Sequence, residues 1–327
     1  MKLTKQQWNI IKLIALAVLV LGVIAAFMFI GVNFEKPKLI QFAMKLRAPK
    51  LIAMLVGAFA IGAASIVFQS IINNRIVTPC LLGMNSLYTL IHTLIFFALG
   101  SGSIFAANDN IAYVIDLVVM TVVATFIYGY LFKKTNYNVL YVLLIGTVLS
   151  SLFGSIQSSM IFVMDPNEYD ILLETLVASF DNINTEIIVF SIIVLAAVAI
   201  FLRKDLKLLD VITLGKEQAI NLGVDYDRVV RRLLIGVTLC IAVATAMIGP
   251  ISFLGLIIAN LARQFLKTYR HSHLIIGSGL IGMLALVGSQ CLVERVFEYS
   301  VPVSVFITIG GGVYFLWLLL RGKRGSI

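Results

Sequence analysis

Apolar residues run along this chain in continuous blocks, and short polar stretches that carry most of the charge separate them. Ten blocks stand out, at about 9–33, 50–72, 82–101, 112–132, 139–163, 186–203, 231–248, 251–266, 273–293 and 303–320. Most have roughly the 17–25 residues that a helix needs to cross a hydrocarbon core of ~30 Å. Lipid offers no partner for open backbone groups, so such blocks are expected to be helices. Their continuous rather than alternating hydrophobicity argues against a β-barrel. One region needs a decision: 233–266 is apolar throughout, too long for one ordinary span and short for two. Gly249-Pro250 sits in its middle as a break signal. Arg231 and Arg232 precede it, and Arg263, Lys267 and Arg270 follow it. If both basic groups face one side, the chain must cross and return, so we expect a hairpin of two short helices. The pattern predicts an all-α, polytopic membrane protein with ten transmembrane helices.

Two longer segments do not span. Residues 164–185 are acidic and predict a short amphipathic helix over about 169–180, lying near the outer face. Residues 204–230 have helical periodicity and predict one or two short helices, broken at Gly215 and Gly223. No low-complexity linker divides the chain, so 1–327 is expected to form one membrane domain.

Composition agrees. Of the 327 residues 60% are hydrophobic and 13% charged, with a mean hydropathy of +1.03. A soluble domain needs more polar residues to cover its surface. The net charge of +9 could suggest nucleic acid, but most basic residues sit in short loops between apolar blocks, so no nucleic-acid partner is expected. With both termini cytoplasmic, all but six of the 25 Lys and Arg fall on the cytoplasmic side, as the positive-inside rule requires. Five of the exceptions, Lys36, Lys38, Lys45, Arg47 and Lys50, share the first outer loop, and Arg295 is the sixth. That patch runs against the insertion bias and asks for a separate reason. Cys80, Cys240 and Cys291 have no paired spacing, so neither a disulfide framework nor a zinc site is expected. The first apolar block lacks a clear small-residue cleavage site, which predicts a retained helix.

The segment 213–224, TLGKEQAINLGV, has the makings of a rigid knob. A short helix lies between two glycines on a cytoplasmic connection, with Ala219 small enough for close approach. An ordinary interfacial helix would look the same from spacing alone. The order Glu217, Ala219, Gly223 resembles the EAA loop through which ABC importer permeases engage their ATPases. Four collinear stretches widen the resemblance: Arg47-Ala48-Pro49-Lys50 leading into LIAMLVGAFAIGAASIVFQSIINN, Thr78-Pro79-Cys80-Leu81-Leu82-Gly83, LGKEQAINLGV at 214–224, and GPISFLGLIIANLAR at 249–263 with the closing VPVSVFITIGGGVYFLWLLLRGKR. Together they resemble the FecCD-type permeases, which import iron–siderophore complexes, haem and vitamin B12. Departures are Ala259-Asn260, where members often carry Pro-His, and Val77-Thr78-Pro79, where they often carry an acidic-proline pattern. The stretch NNRIVTPCLLGMNSLYTL resembles the branch that handles catechol-type ferric siderophores.

The resemblance implies a bacterial multi-pass plasma-membrane subunit with several partners. These are a second permease, identical or related, two cytoplasmic ATP-binding subunits, and an extracytoplasmic substrate-binding lipoprotein. It implies that Arg47, Lys50 and Arg295 meet acidic residues of the binding protein. It places ATPase coupling on Leu214, Gly215, Glu217, Ala219, Leu222 and Gly223. Weakly polar groups in or beside the spans, Gln69, Asn73, Asn85, Thr147 and Ser151, are candidates for the translocation pathway, although interhelix hydrogen bonding is the commoner use of such residues. No cofactor or metal site is expected, since a chelated iron arrives already coordinated. His92 reads as a lone imidazole, and Asp116 lies about one turn from an outer end. An ion-coupled secondary transporter would carry mid-span carboxylates. An intramembrane enzyme would need a nucleophile–base pair, paired acids or a metal cluster. Neither is visible, and the absence of a G-x-x-x-x-G-K-[ST] loop puts ATP hydrolysis on a separate chain.

Overall fold

The structure, a computed structural model, describes residues 5–30, 37–135, 139–178, 180, 184–298 and 301–322. Each of the ten apolar blocks holds one main helix, and no strand occurs among the described residues. Helices α1 (Lys5–Phe29) and α2 (Pro37–Ile72) are followed by a 3-10 turn over Pro79–Leu82 and by α3 (Met84–Leu99). A short α4 (Ile104–Ala107) leads into α5 (Asp109–Lys134), α6 (Val139–Val163) and the peripheral α7 (Pro166–Leu176). After α8 (Thr185–Phe201) come three short pieces, α9 (Arg203–Lys207), α10 (Leu209–Ile212) and α11 (Lys216–Asn221). The chain closes with α12 (Tyr226–Ile248), α13 (Leu254–Leu266), α14 (His271–Arg295) and α15 (Val303–Gly322). Among the described residues six helices, α1, α2, α5, α6, α12 and α14, are long and apolar enough to cross a membrane, while α3, α8, α13 and most of α15 are apolar but shorter.

The bundle is built on α2, which packs against α12 on one side and α14 on the other. Small residues make this possible. Ala53, Ala58, Ala60, Ala64 and Ser65 of α2 are buried. A Cβ on Gly62 would lie 3.0 Å from the Ser278 carbonyl carbon, so α2 and α14 touch backbone to backbone there. Lipid supplies no hydrophobic drive between helices, and close packing of this kind holds them instead. Buried hydroxyls add links: Tyr113 Oη and Ser191 Oγ join α5 to α8 at 2.8 Å, and Thr125 and Thr238 join α5 to α12 at 3.0 Å. Helices α1 and α6 lie at the periphery, with little of their apolar length buried.

The 233–266 region breaks into two helices at Gly249-Pro250 as expected, but the first is not short: α12 runs 23 residues from Tyr226. Helix α12 ends at Gly249, whose φ of +85° only glycine adopts readily. A Cβ there would also lie 2.7 Å from Ala178 Cα, so the corner is pressed against the chain that follows α7. The short helix read over 169–180 stands at Pro166–Leu176, started by Asp165, whose side chain accepts from Asn167 N at 2.8 Å.

Helix α2 departs most from expectation. It begins at Pro37, not near residue 50, so Lys38, Lys45, Arg47 and Lys50 ride on a helix and not in a loop; Lys36 lies outside the described residues. Pro49 reads naturally as a helix start. Here it stands inside the helix, where it removes the bond an amide would give to the Lys45 carbonyl and its ring crowds that carbonyl.

Candidate functional site

Contacts between helix termini define two ends of the bundle. At the first, Arg47 Nη1 donates to the carbonyls of Phe27, Met28 and Ile30, each at 3.0 Å. Arg295 also donates to Ile30 O. The two guanidiniums therefore converge on the C-terminus of α1. They satisfy carbonyls that the helix leaves open and sit where its dipole favours cations. Two of the three basic residues singled out from the sequence are thus brought together, although 248 positions separate them. Lys50 lies one turn further along α2, half-buried. Glu168 of α7 accepts from Ser101 N at 2.6 Å and Ser101 Oγ at 2.9 Å, tying α7 to the turn after α3.

The opposite end carries the α9–α11 segment. His271, at the start of α14, contacts Asp210 through Nδ1, and Arg232 of α12 approaches the buried Asp205 at 3.8 Å. Lys216 pairs with Asp227 at 3.0 Å across an exposed surface. Helix α11 lies between Gly215 and Gly223, with φ of +106° and +83°. Ala219 is fully buried against the bundle, while Leu214, Ile220 and Leu222 are 57%, 51% and 63% exposed. A buried Ala219 and an exposed Ile220 sit on one short helix, with exposed leucines just before and just after it.

The five pathway candidates separate into three places. Gln69 and Asn73 lie at this second end. Gln69 is buried, donates to Arg75 O at 2.8 Å and accepts from Arg263 Nε at 3.4 Å. Asn73 closes α2 in the left-handed conformation, φ +53°. Its N–H bonds Ser70 O and that of Asn74 bonds Gln69 O, the Schellman arrangement in which Asn substitutes for Gly. Asn85 donates to Ser252 Oγ at 3.2 Å and links α3 to the turn before α13. Thr147 and Ser151 are exposed on one face of α6, and Thr147 Oγ1 donates back to Leu144 O at 2.8 Å.

His92 is not the lone imidazole that the sequence suggested. Its Nε2 stands 2.9 Å from Asp116 Oδ2, and both side chains are buried between α3 and α5. The 24 positions between them fall on different helices, so no local spacing reveals the pair. Sequence reasoning also missed Asn260, which donates to Arg75 O at 2.8 Å beside Gln69. The only signal was its departure from the family's usual Pro-His. No group of three or more metal-ligating side chains occurs among the described residues.

A model of the FecCD transport family matches residues 8–321. The chain is 40% identical over 320 residues to the petrobactin import system permease protein YclO of Bacillus subtilis, covering 98% of this chain and 99% of that one. It is 31% identical over 317 residues to the petrobactin import system permease protein FatC of Bacillus anthracis, covering 95% and 89%. A solved chain described as part of a metal-chelate type ABC transporter, in an inward-facing conformation, superposes with a TM-score of 0.79 at 21% identity, over 94% of this chain and 98% of that one; that likeness concerns the fold. With its six long apolar helices and a family match over nearly its whole length, this chain is a multi-pass membrane protein of the FecCD transport family.

Proposed function

We propose that the chain crosses a bacterial cell membrane ten times, with both termini cytoplasmic, as the translocating subunit of an ATP-driven importer for a ferric siderophore. One observation carries the coupling half of this reading. Helix α11, framed by the positive-φ Gly215 and Gly223, holds Ala219 against the bundle, while Ile220 on it and Leu214 and Leu222 at its flanks are exposed. An apolar, rigidly framed projection on a polar end is a surface made for a partner's groove. Leu214, Gly215, Glu217, Ala219, Leu222 and Gly223 would transmit closure of two ATP-binding subunits to the helices. A second permease, identical or related, completes the pore, and the exposed α6 face with Thr147 and Ser151 is its proposed lining. Asn85, Gln69 and Asn73 stand further back, at helix junctions that would shift as the pathway opens.

The first end would receive the substrate-binding protein on Arg47, Lys50 and Arg295. The petrobactin importers among the relatives make siderophores of that kind the first substrates to try. Reconstitution with the ATPase and binding protein tests the assignment. Gly223→Trp is expected to leave membrane insertion and ATP hydrolysis in place while siderophore uptake falls at least about tenfold. Wild-type coupling in that variant would refute the placement of the coupling element.

A further inference from the structure

A cavity of about 930 Å3 opens at the second end, among the C-terminus of α2, α13, the 267–271 connection and α15. Arg75, Arg263 and Lys267 line it, and among the described residues no Asp or Glu does. None of the three cations forms a salt bridge among the described residues. The arrangement is held from below. Gln69 and Asn260, 1% and 4% exposed, both donate to the Arg75 carbonyl at 2.8 Å and fix the turn that carries Arg75. The Arg263 guanidinium rests on two neutral oxygens, Gln69 Oε1 at 3.4 Å and Ser70 Oγ at 3.2 Å. Lys267 ends α13 at φ +47°, a conformation that costs energy in a side-chain-bearing residue. His271, 4% exposed, also lines the cavity. Its Nδ1 is engaged by Asp210, and its Nε2 is buried with no hydrogen-bond partner.

Collecting three like charges on one cavity is unfavourable unless an anion joins them. Planar guanidiniums beside a lysine ammonium match tetrahedral oxyanions in both geometry and charge. We propose that this cavity binds a phosphate-bearing anion, drawn either from an anionic lipid headgroup or from free phosphate in solution. Its volume exceeds what a bare phosphate fills, and it lies between helix ends, where basic pockets take up headgroups. Trp317, 44% exposed, adds an interfacial ring to the wall. The site does not depend on the transport assignment.

The purified full chain is placed in nanodiscs of phosphatidylcholine alone, of phosphatidylcholine with phosphatidylglycerol, and of phosphatidylcholine with inorganic phosphate added against chloride at equal ionic strength. Thermal unfolding is followed in each. Phosphatidylglycerol or phosphate is expected to raise Tm in the wild type. In Arg75→Gln/Lys267→Gln the apparent affinity should fall at least about tenfold. A response to the lipid alone assigns the headgroup as the source, and a response to phosphate without the lipid assigns the free anion. Lys267→Gly removes the ammonium and relieves the positive φ at once, so its loss of response cannot be attributed to misfolding. No wild-type response to either anion, or the same response in the wild type and both variants, overturns the proposal.

Discussion

At the scale of single residues, the His92–Asp116 pair places two titratable side chains in the apolar interior. Both side chains are buried, they meet at 2.9 Å, and Asp116 Oδ1 has no partner. Each group makes the other tolerable in low dielectric, because removing one leaves its partner buried and uncompensated. Asp116→Leu leaves the buried imidazole without its partner and is therefore expected to destabilise the protein by about 1–3 kcal/mol. His92→Leu/Asp116→Leu should recover part of that loss, since two apolar groups need no partner. Thermal melts of both single variants and the double variant give the coupling directly. Additive losses would show that the two groups do not depend on each other. Neither residue announces this role in the sequence: an imidazole and a carboxylate on different helices become a pair only through packing.

At the scale of elements, the contact between α2 and α14 decides whether the bundle closes. A side chain at Gly62 would strike backbone, with Ser278 C at 3.0 Å and Gly279 N at 3.1 Å, and backbone cannot rotate aside as a flexible side chain can. Gly62→Leu must part the helices and is expected to cost about 1–3 kcal/mol. Gly22→Leu on α1, where a new Cβ would meet nothing within 4 Å, should cost far less. Equal melting losses in the two variants would remove the special role of Gly62. Hydropathy made the main elements legible, because lipid forces each apolar block to be a helix. Gly249-Pro250 likewise marked the break between α12 and α13. The N-terminal extension of α2 was not legible, since its charged residues and Pro49 resemble a loop and a helix start. What keeps it helical is tertiary: Arg47 reaches back to cap α1.

At the scale of the whole molecule, Arg47 and Arg295 serve one role inside the chain and are proposed for another outside it. The cluster of basic residues at 36–50 was visible in the sequence as a departure from the expected insertion bias. Their convergence on the C-terminus of α1 was not visible, because it depends on how α1, α2 and α14 pack. Capping alone asks only for donors, whereas docking asks for positive charge. The two roles therefore separate by substitution. Arg47→Gln keeps a donor and loses the charge; if capping were everything, uptake would stay close to wild type. Docking on charge predicts reduced uptake, with the wild-type rate falling as salt screens the encounter. In Arg47→Glu/Arg295→Glu the charge is reversed at both positions. Each exposed pair contributes only about 0.2–1 kcal/mol, so the loss would lie in orientation and association rate more than in equilibrium stability. We expect uptake in the double variant to be abolished when transport of labelled ferric siderophore is normalised to its blotted amount in membrane fractions, since a carboxylate beside the open α1 carbonyls also weakens the cap. Unchanged uptake would leave the two arginines as caps of α1 and nothing more.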